Sequence, residues 1–76
     1  MPKHGPNVWV VRRGARFSVK EERNPHFLTS EIPQFVAIRI GREIARANHS
    51  ELIVQARDGR IRARDSHGFD RFPPRG

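Results

Sequence analysis

The period of hydrophobic and polar positions changes twice along this chain, and those changes mark out its elements. Residues 7–13 (NVWVVRR) run β-branched and aromatic side chains together, while residues 16–22 (RFSVKEE) alternate polar and apolar, so both stretches predict strands. Between them, Gly14-Ala15 is a two-residue connection with glycine first, as a type II′ hairpin turn requires. Arg23-Asn24-Pro25 interrupts the alternation, and residues 26–29 read as a short third strand. From Pro33 to Asn48 no further proline occurs and the period lengthens to that of a helix, with Pro33 suited to its first turn. Stepping about 100° per residue gathers Ala37, Ile40, Gly41, Ile44 and Ala45 on one side and Arg39, Arg42, Glu43 and Arg46 on the other. A glycine inside that apolar stripe costs up to about 1 kcal/mol against alanine, which points to close approach of the helix to a sheet. Phe35 falls outside the stripe, either folding over the helix start or facing a partner. Residues 51–57 and 60–65 flank Asp58-Gly59, the pair best suited to a type I′ turn. The predicted order is β-β-β-α-β-β, an α+β fold with one amphipathic helix on one face of a largely antiparallel sheet.

Two-residue turns fix register, and register divides each strand between two faces. In the first hairpin Val10 should oppose Val19 and Arg12 should oppose Phe17, with Val11, Trp9 and Arg13 opposite Ser18, Lys20 and Arg16. In the second, Ala56 should oppose Ile61 and Val54 should oppose Ala63, with Arg57, Gln55 and Ile53 opposite Arg60, Arg62 and Arg64. Val8, Val10, Phe17, Val19, Leu52, Val54, Ala56, Ile61 and Ala63 then form the helix side. The other side carries Arg13, Arg16, Lys20, Arg57, Arg60, Arg62 and Arg64, interleaved with Trp9, Val11 and Ile53.

Charge sharpens the meaning of that face. The chain has 76 residues, 15 of them lysine or arginine against 8 acidic, for a formal net charge of +7. Only Lys3 and Lys20 are lysines. An arginine bias also follows from genomic base composition, so position rather than count has to carry the argument. Arginine forks suit phosphates and guanine edges, and exposed aromatics stack on bases. Like charges opposed across strands repel mildly, and an anion between them relieves this. Three readings of the face are open: a nucleic-acid interface, a solvated surface paired with Glu21, Glu22 and Asp65, or a face covered by the tail or by a second copy.

Size and inventory limit the chemistry. At this length a chain supports one core. Residues 1–6 read as a disordered arm, 7–68 as the single domain and 69–76, with Pro73-Pro74, as an irregular tail. The lack of cysteine removes disulfides and thiolate metal sites and suits a reducing cytoplasm. No apolar leader or membrane-length run is present in the sequence. No phosphate-binding glycine loop, nucleophile elbow or helical His-Glu-x-x-His motif occurs, and Glu21 and Glu22 point to opposite strand faces. Neither catalysis nor a cofactor is expected. The cluster Asp65-Ser66-His67-Gly68-Phe69-Asp70 has weak ligand spacing, and no metal is expected there.

The runs Gly41-Arg42-Glu43-Ile44-Ala45, Glu51-Leu52-Ile53-Val54, Arg57-Asp58-Gly59-Arg60-Ile61-Arg62 and Asp65-Ser66-His67-Gly68, with the closing Pro73-Pro74-Arg75-Gly76, resemble a small bacterial family, domain of unknown function 2188 (DUF2188). Trp9-Val10-Val11 and Phe17-Ser18-Val19-Lys20 resemble its opening hairpin. Phe17 stands where that family usually has tryptophan, Pro33 where it has a capping threonine, and His67 where tyrosine is common. The resemblance implies a compact α+β domain and carries no activity or catalytic residues. The expectation is a small basic non-enzymatic module that contacts DNA or RNA through Arg13, Arg16, Lys20, Arg57, Arg60, Arg62 and Arg64. The alternative is a protein-interaction module, a homodimer or a small phage- or plasmid-type factor, docking through Trp9, Ile53 and Phe35.

Overall fold

In the computed structural model, which describes residues 5–66, two hairpins lie side by side and join through their leading strands. Strands β1 (Val8–Arg13) and β2 (Arg16–Glu21) form the first hairpin, and β3 (Glu51–Gln55) and β4 (Ile61–Ser66) the second. Helix α1 (Gln34–Asn48) connects them. The spatial order is β2-β1-β3-β4, with β1 and β3 parallel and both hairpins antiparallel. Parallel neighbours need a long crossover, which α1 and its flanking loops supply. β1 and β3 are the central strands, each with a neighbouring strand on both sides. The α+β architecture, with its helix on one face of a largely antiparallel sheet, is the one expected.

Val8, Val10, Phe17, Val19, Leu52 and Val54 pack against Ala37 and Ala45 of α1. Gly41 lies between them, where a Cβ would come within 2.9 Å of Leu52 Cδ1 and 3.2 Å of Val10 Cγ2. The glycine in the apolar stripe therefore marks the closest approach of helix to sheet. Pro33 stands just before the helix as its N-cap and offers no side-chain bond to the first turn. At the other end His49 adopts φ 54°, and the His49 and Ser50 amides donate to the Arg46 and Ala45 carbonyls at 3.2 and 3.0 Å. Those two bonds make a Schellman motif with histidine in the left-handed position usually held by glycine.

The first hairpin has the register expected: Val10 opposes Val19, Arg12 opposes Phe17 and Trp9 opposes Lys20. Gly14 has φ 64°, and Ala15 does not share the positive sign, as a type II′ turn needs. The predicted third strand at residues 26–29 does not form. The segment does follow the outer edge of β2, where the Leu28 amide donates to the Val19 carbonyl at 2.7 Å and Ile32 exchanges two 2.8 Å bonds with Phe17. Leu28 and Ile32 lie four residues apart in sequence, Phe17 and Val19 only two, so a ladder cannot stay in step. Hydroxyls fill the mismatch: Thr29 Oγ1 accepts from the Val19 amide at 3.1 Å, and Ser18 Oγ donates to the Ser30 carbonyl at 3.1 Å.

The second hairpin departs from expectation at its turn. Only Gly59 of the Asp-Gly pair has positive φ, at 90°, so the turn is not type I′. The Gly59 amide donates to the Ala56 carbonyl at 2.9 Å, and the Ala56 amide donates to the Arg60 carbonyl at 2.7 Å. This is the three-residue loop in which a turn is followed by a left-handed glycine. Asp58 Oδ1 caps it by accepting from the Arg60 amide at 3.0 Å. The longer loop pairs Gln55 with Ile61, whereas Val54 still opposes Ala63, so the ladder shifts between Val54 and Gln55 and leaves Arg62 as a bulge. Ile61, expected on the helix side opposite Ala56, is instead 48% exposed.

Of the arm read over 1–6, Gly5 and Pro6 are described: the Gly5 amide donates to the Asn48 carbonyl at 2.6 Å, and Asn48 Nδ2 donates to the Pro6 carbonyl at 3.1 Å. Residues 1–4, His67-Gly68 and the tail read over 69–76 lie outside the described residues.

Gly41→Ala tests the close approach. Overpacking a tight core costs about 1–3 kcal/mol, more than the propensity gain of up to about 1 kcal/mol. Urea unfolding is expected to show a net loss of about 1 kcal/mol, whereas a gain would mean that the helix has room to spare.

Candidate nucleic-acid interface

Register and bulge together decide where each predicted basic residue ends up. Arg13, Lys20 and Arg64 are on the sheet face away from α1, as expected, and the local structure occupies two of them. The Arg13 guanidinium carbon lies 4.0 Å from the centroid of the Phe27 ring. Its Nη1 donates to Ser18 Oγ at 3.4 Å and its Nη2 lies 3.5 Å from Glu31 Oε2. Arg64 Nη1 donates to Glu51 Oε1 at 3.2 Å. Lys20 borders a shallow hollow of about 380 Å³ with Trp9, Val11, Glu22, Arg23 and Gln55.

The apolar members of this face differ from one another. Ile53 is only 2% exposed, which removes it from any surface of the single chain. It lies between Trp9 and Arg64 in the sheet, and the aliphatic stem of an arginine can cover such a neighbour. Trp9 is half-buried, and its indole N–H donates to Glu22 Oε1 at 3.3 Å. Phe35 is elsewhere, on the first turn of α1 and 70% exposed. The three residues suggested for protein docking therefore do not form one patch.

Arg57, Arg60 and Arg62 also leave the face assigned to them from two-residue turn geometry. Arg57 and Arg60 belong to the loop between β3 and β4. The side chain of Arg60 stays with its own loop, where Nε lies 3.9 Å from Asp58 Oδ2 with both groups exposed. Arg62, displaced by the bulge, reaches the helix instead: Nη1 donates to Gln34 Oε1 at 2.9 Å, and Gln34 Nε2 donates to the Gln55 carbonyl at 3.0 Å.

These displacements assemble a groove at the end of the sheet. Ala15, Arg16, Phe17, Pro33, Gln34, Phe35 and Arg57 line a volume of about 410 Å³. Arg62 is bonded to its wall through Gln34. Among the described residues Arg16, Arg57 and Arg62 make no ion pair. The first turn of α1 contains no acidic residue and has no side-chain cap. The groove thus combines two arginines, Arg16 and Arg57, with a largely exposed phenyl ring, and a third, Arg62, is bonded to Gln34 of its wall. Arg16, Arg57, Arg62 and Phe35 were all singled out from sequence, although for two different surfaces. Gln34, which ties Arg62 to β3, was not, because its role exists only once the bulge has turned Arg62 toward it.

Among the described residues no group of three or more metal-ligating side chains occurs, and no helix is long and apolar enough to cross a membrane.

Fold and groove together define a small basic α+β domain of two hairpins joined by one helix. Its helix and second hairpin, residues 34–67, match the family model described as an uncharacterised protein conserved in bacteria, DUF2188, which is the resemblance read from the sequence. No curated protein and no solved structure shows significant similarity to the chain.

Arg13→Ala tests whether that arginine serves the local structure. An exposed cation–π contact contributes about 0.5–1 kcal/mol, and a surface ion pair adds about 0–1. The expected result is a loss near 1 kcal/mol in urea with faster proteolysis in residues 22–33. Unchanged stability and unchanged cleavage would free Arg13 for another role.

Proposed function

We propose that this chain is a non-enzymatic nucleic-acid-binding module whose phosphate contacts come chiefly from Arg16, Arg57 and Arg62. The observation that carries this reading is the groove itself, lined by Arg16 and Arg57 with Arg62 bonded to its wall, none of the three in an ion pair among the described residues, beside the exposed ring of Phe35. Arginines without a carboxylate partner gain no ion-pair energy in folding, and a phosphodiester supplies the missing counter-charge. The planar fork of arginine matches a phosphate with two parallel hydrogen bonds. The overall charge of +7 adds long-range attraction for any polyanion. Lys20 supplies further positive charge along the sheet, while the charge of Arg64 is partly offset by Glu51. The setting in this reading is the reducing cytoplasm, which a cysteine-free domain suits. The protein-docking alternative keeps Trp9 and Val11 as its surface, since Ile53 is buried and Phe35 belongs to the groove.

Neutralising about three phosphates should give log affinity a slope near −2 to −3 against log salt. Reversing Arg16, Arg57 and Arg62 together to glutamate is expected to weaken binding to labelled oligonucleotides at least tenfold at low salt. The control is Arg39, Arg42 and Arg46 reversed together on the outer side of α1, which changes the net charge equally and is expected to cost much less. Equal losses in both variants would reduce the effect to net charge and remove the groove from the explanation.

A further inference from the structure

We infer that the groove selects single-stranded nucleic acid, with an unpaired base stacked on Phe35 while Arg16 and Arg57 hold the adjoining backbone. This inference rests on the nucleic-acid reading above and goes beyond it by naming the form of the partner. Three observations carry it. Phe35 is 70% exposed although it sits in a helix whose opposite side is packed into the core, so its ring adds little to folding. It shares a groove with two arginines, so an aromatic face and phosphate-binding forks are presented together. And the cavity, at about 410 Å³, lies in the angle between the first hairpin turn, the helix start and the loop after β3, which a flexible strand can enter.

A duplex offers its phosphates but keeps its bases stacked on one another, so it can use the arginines and not the ring. A single strand can use both, since every base has a face to stack and exposed aromatics serve as sequence-tolerant platforms for it. DNA and RNA share the chemistry that this site would recognise, an unpaired base beside a phosphodiester. The half-buried Trp9 is a weaker platform than Phe35, because its indole N–H is engaged by Glu22 and it borders a hollow that also contains that carboxylate.

The test measures fluorescence anisotropy of the full chain with oligo(dT), oligo(U), a duplex of equal length, and an abasic strand that keeps phosphates but lacks bases. Oligo(dT) or oligo(U) is expected to bind more tightly than both duplex and abasic strand. Phe35→Ala should weaken the base-bearing single strands about tenfold and leave duplex and abasic binding unchanged. Phe35→Trp should restore the affinity, which a merely structural role for the ring would not predict. The relative response of oligo(dT) and oligo(U) identifies which sugar is preferred. If the wild-type chain binds duplex and the salt slope holds, but Phe35→Ala affects all four probes alike or none of them, the stacking inference is overturned while the nucleic-acid reading survives. No binding of any probe at low salt would overturn both.

Discussion

Gly41 sits where a single methyl group would collide with Leu52 and Val10, and the separation of helix from sheet is set at that point. Leu52 belongs to β3 and Val10 to β1, so the contact clamps the two parallel strands at the centre of the sheet from one side. The helix cannot move outward without opening the core around Ala37 and Ala45, nor inward without compressing those two side chains. With its separation fixed, the placement of its ends follows from neighbouring bonds. Ile32 is bonded in both directions to Phe17, so the chain must enter α1 beside the start of β2. Pro33, Gln34 and Phe35 therefore arise next to Arg16, and a groove forms there because helix, turn and loop all end at the same edge.

The architecture was largely legible in the sequence because period and turn residues agreed with each other. In the first hairpin, glycine at the first turn position and alternation in β2 specify the same register. Residues 26–29 were harder to read, because a short apolar segment carries no information about how many residues its neighbour offers. The mismatch between Leu28-to-Ile32 and Val19-to-Phe17 becomes visible only when the segments are side by side. Asp58-Gly59 was misleading in a more instructive way. The pair accepts positive φ at both positions, yet it also suits a three-residue loop with only the glycine left-handed. Sequence signals a turn strongly there and its length weakly.

That one residue decides where the arginines in and just after the turn are placed. A two-residue loop keeps Arg57, Arg60 and Arg62 in a regular ladder with Arg64 and makes a uniformly basic sheet face. The three-residue loop takes Arg57 and Arg60 out of the strands and makes Arg62 the bulge. Beyond Arg62, Val54-Ala63 and Ile53-Arg64 retain the predicted pairing, so on the core side of β4 it is Ile61 that loses its expected place. The candidate site was therefore legible as a set of residue types and not as a place. Phe35 lay outside the apolar stripe of the helix and could be recognised as unusual, but nothing in the sequence placed it beside Arg57, which lies beyond another strand and turn.

The distribution of acidic residues decides how much of the arginines' positive charge is offset locally. Surface ion pairs contribute only about 0–1 kcal/mol each, so their value here is not mainly in stability. They lower the local potential wherever a carboxylate stands beside a guanidinium, as at Arg13, Arg42, Arg46, Arg60 and Arg64. Around Arg16, Arg57 and Arg62 no such pairing occurs among the described residues, and the only close polar partner of Arg62 is the neutral Gln34. A neutral partner holds the guanidinium in position without cancelling its charge. The bulge thus moves an arginine from a sheet face where carboxylates such as Glu51 and Glu22 dilute positive charge to an edge where, among the described residues, its recorded side-chain partner is the neutral Gln34. The same irregularity that breaks the ladder brings positive charge beside Phe35, the most exposed aromatic ring among the described residues.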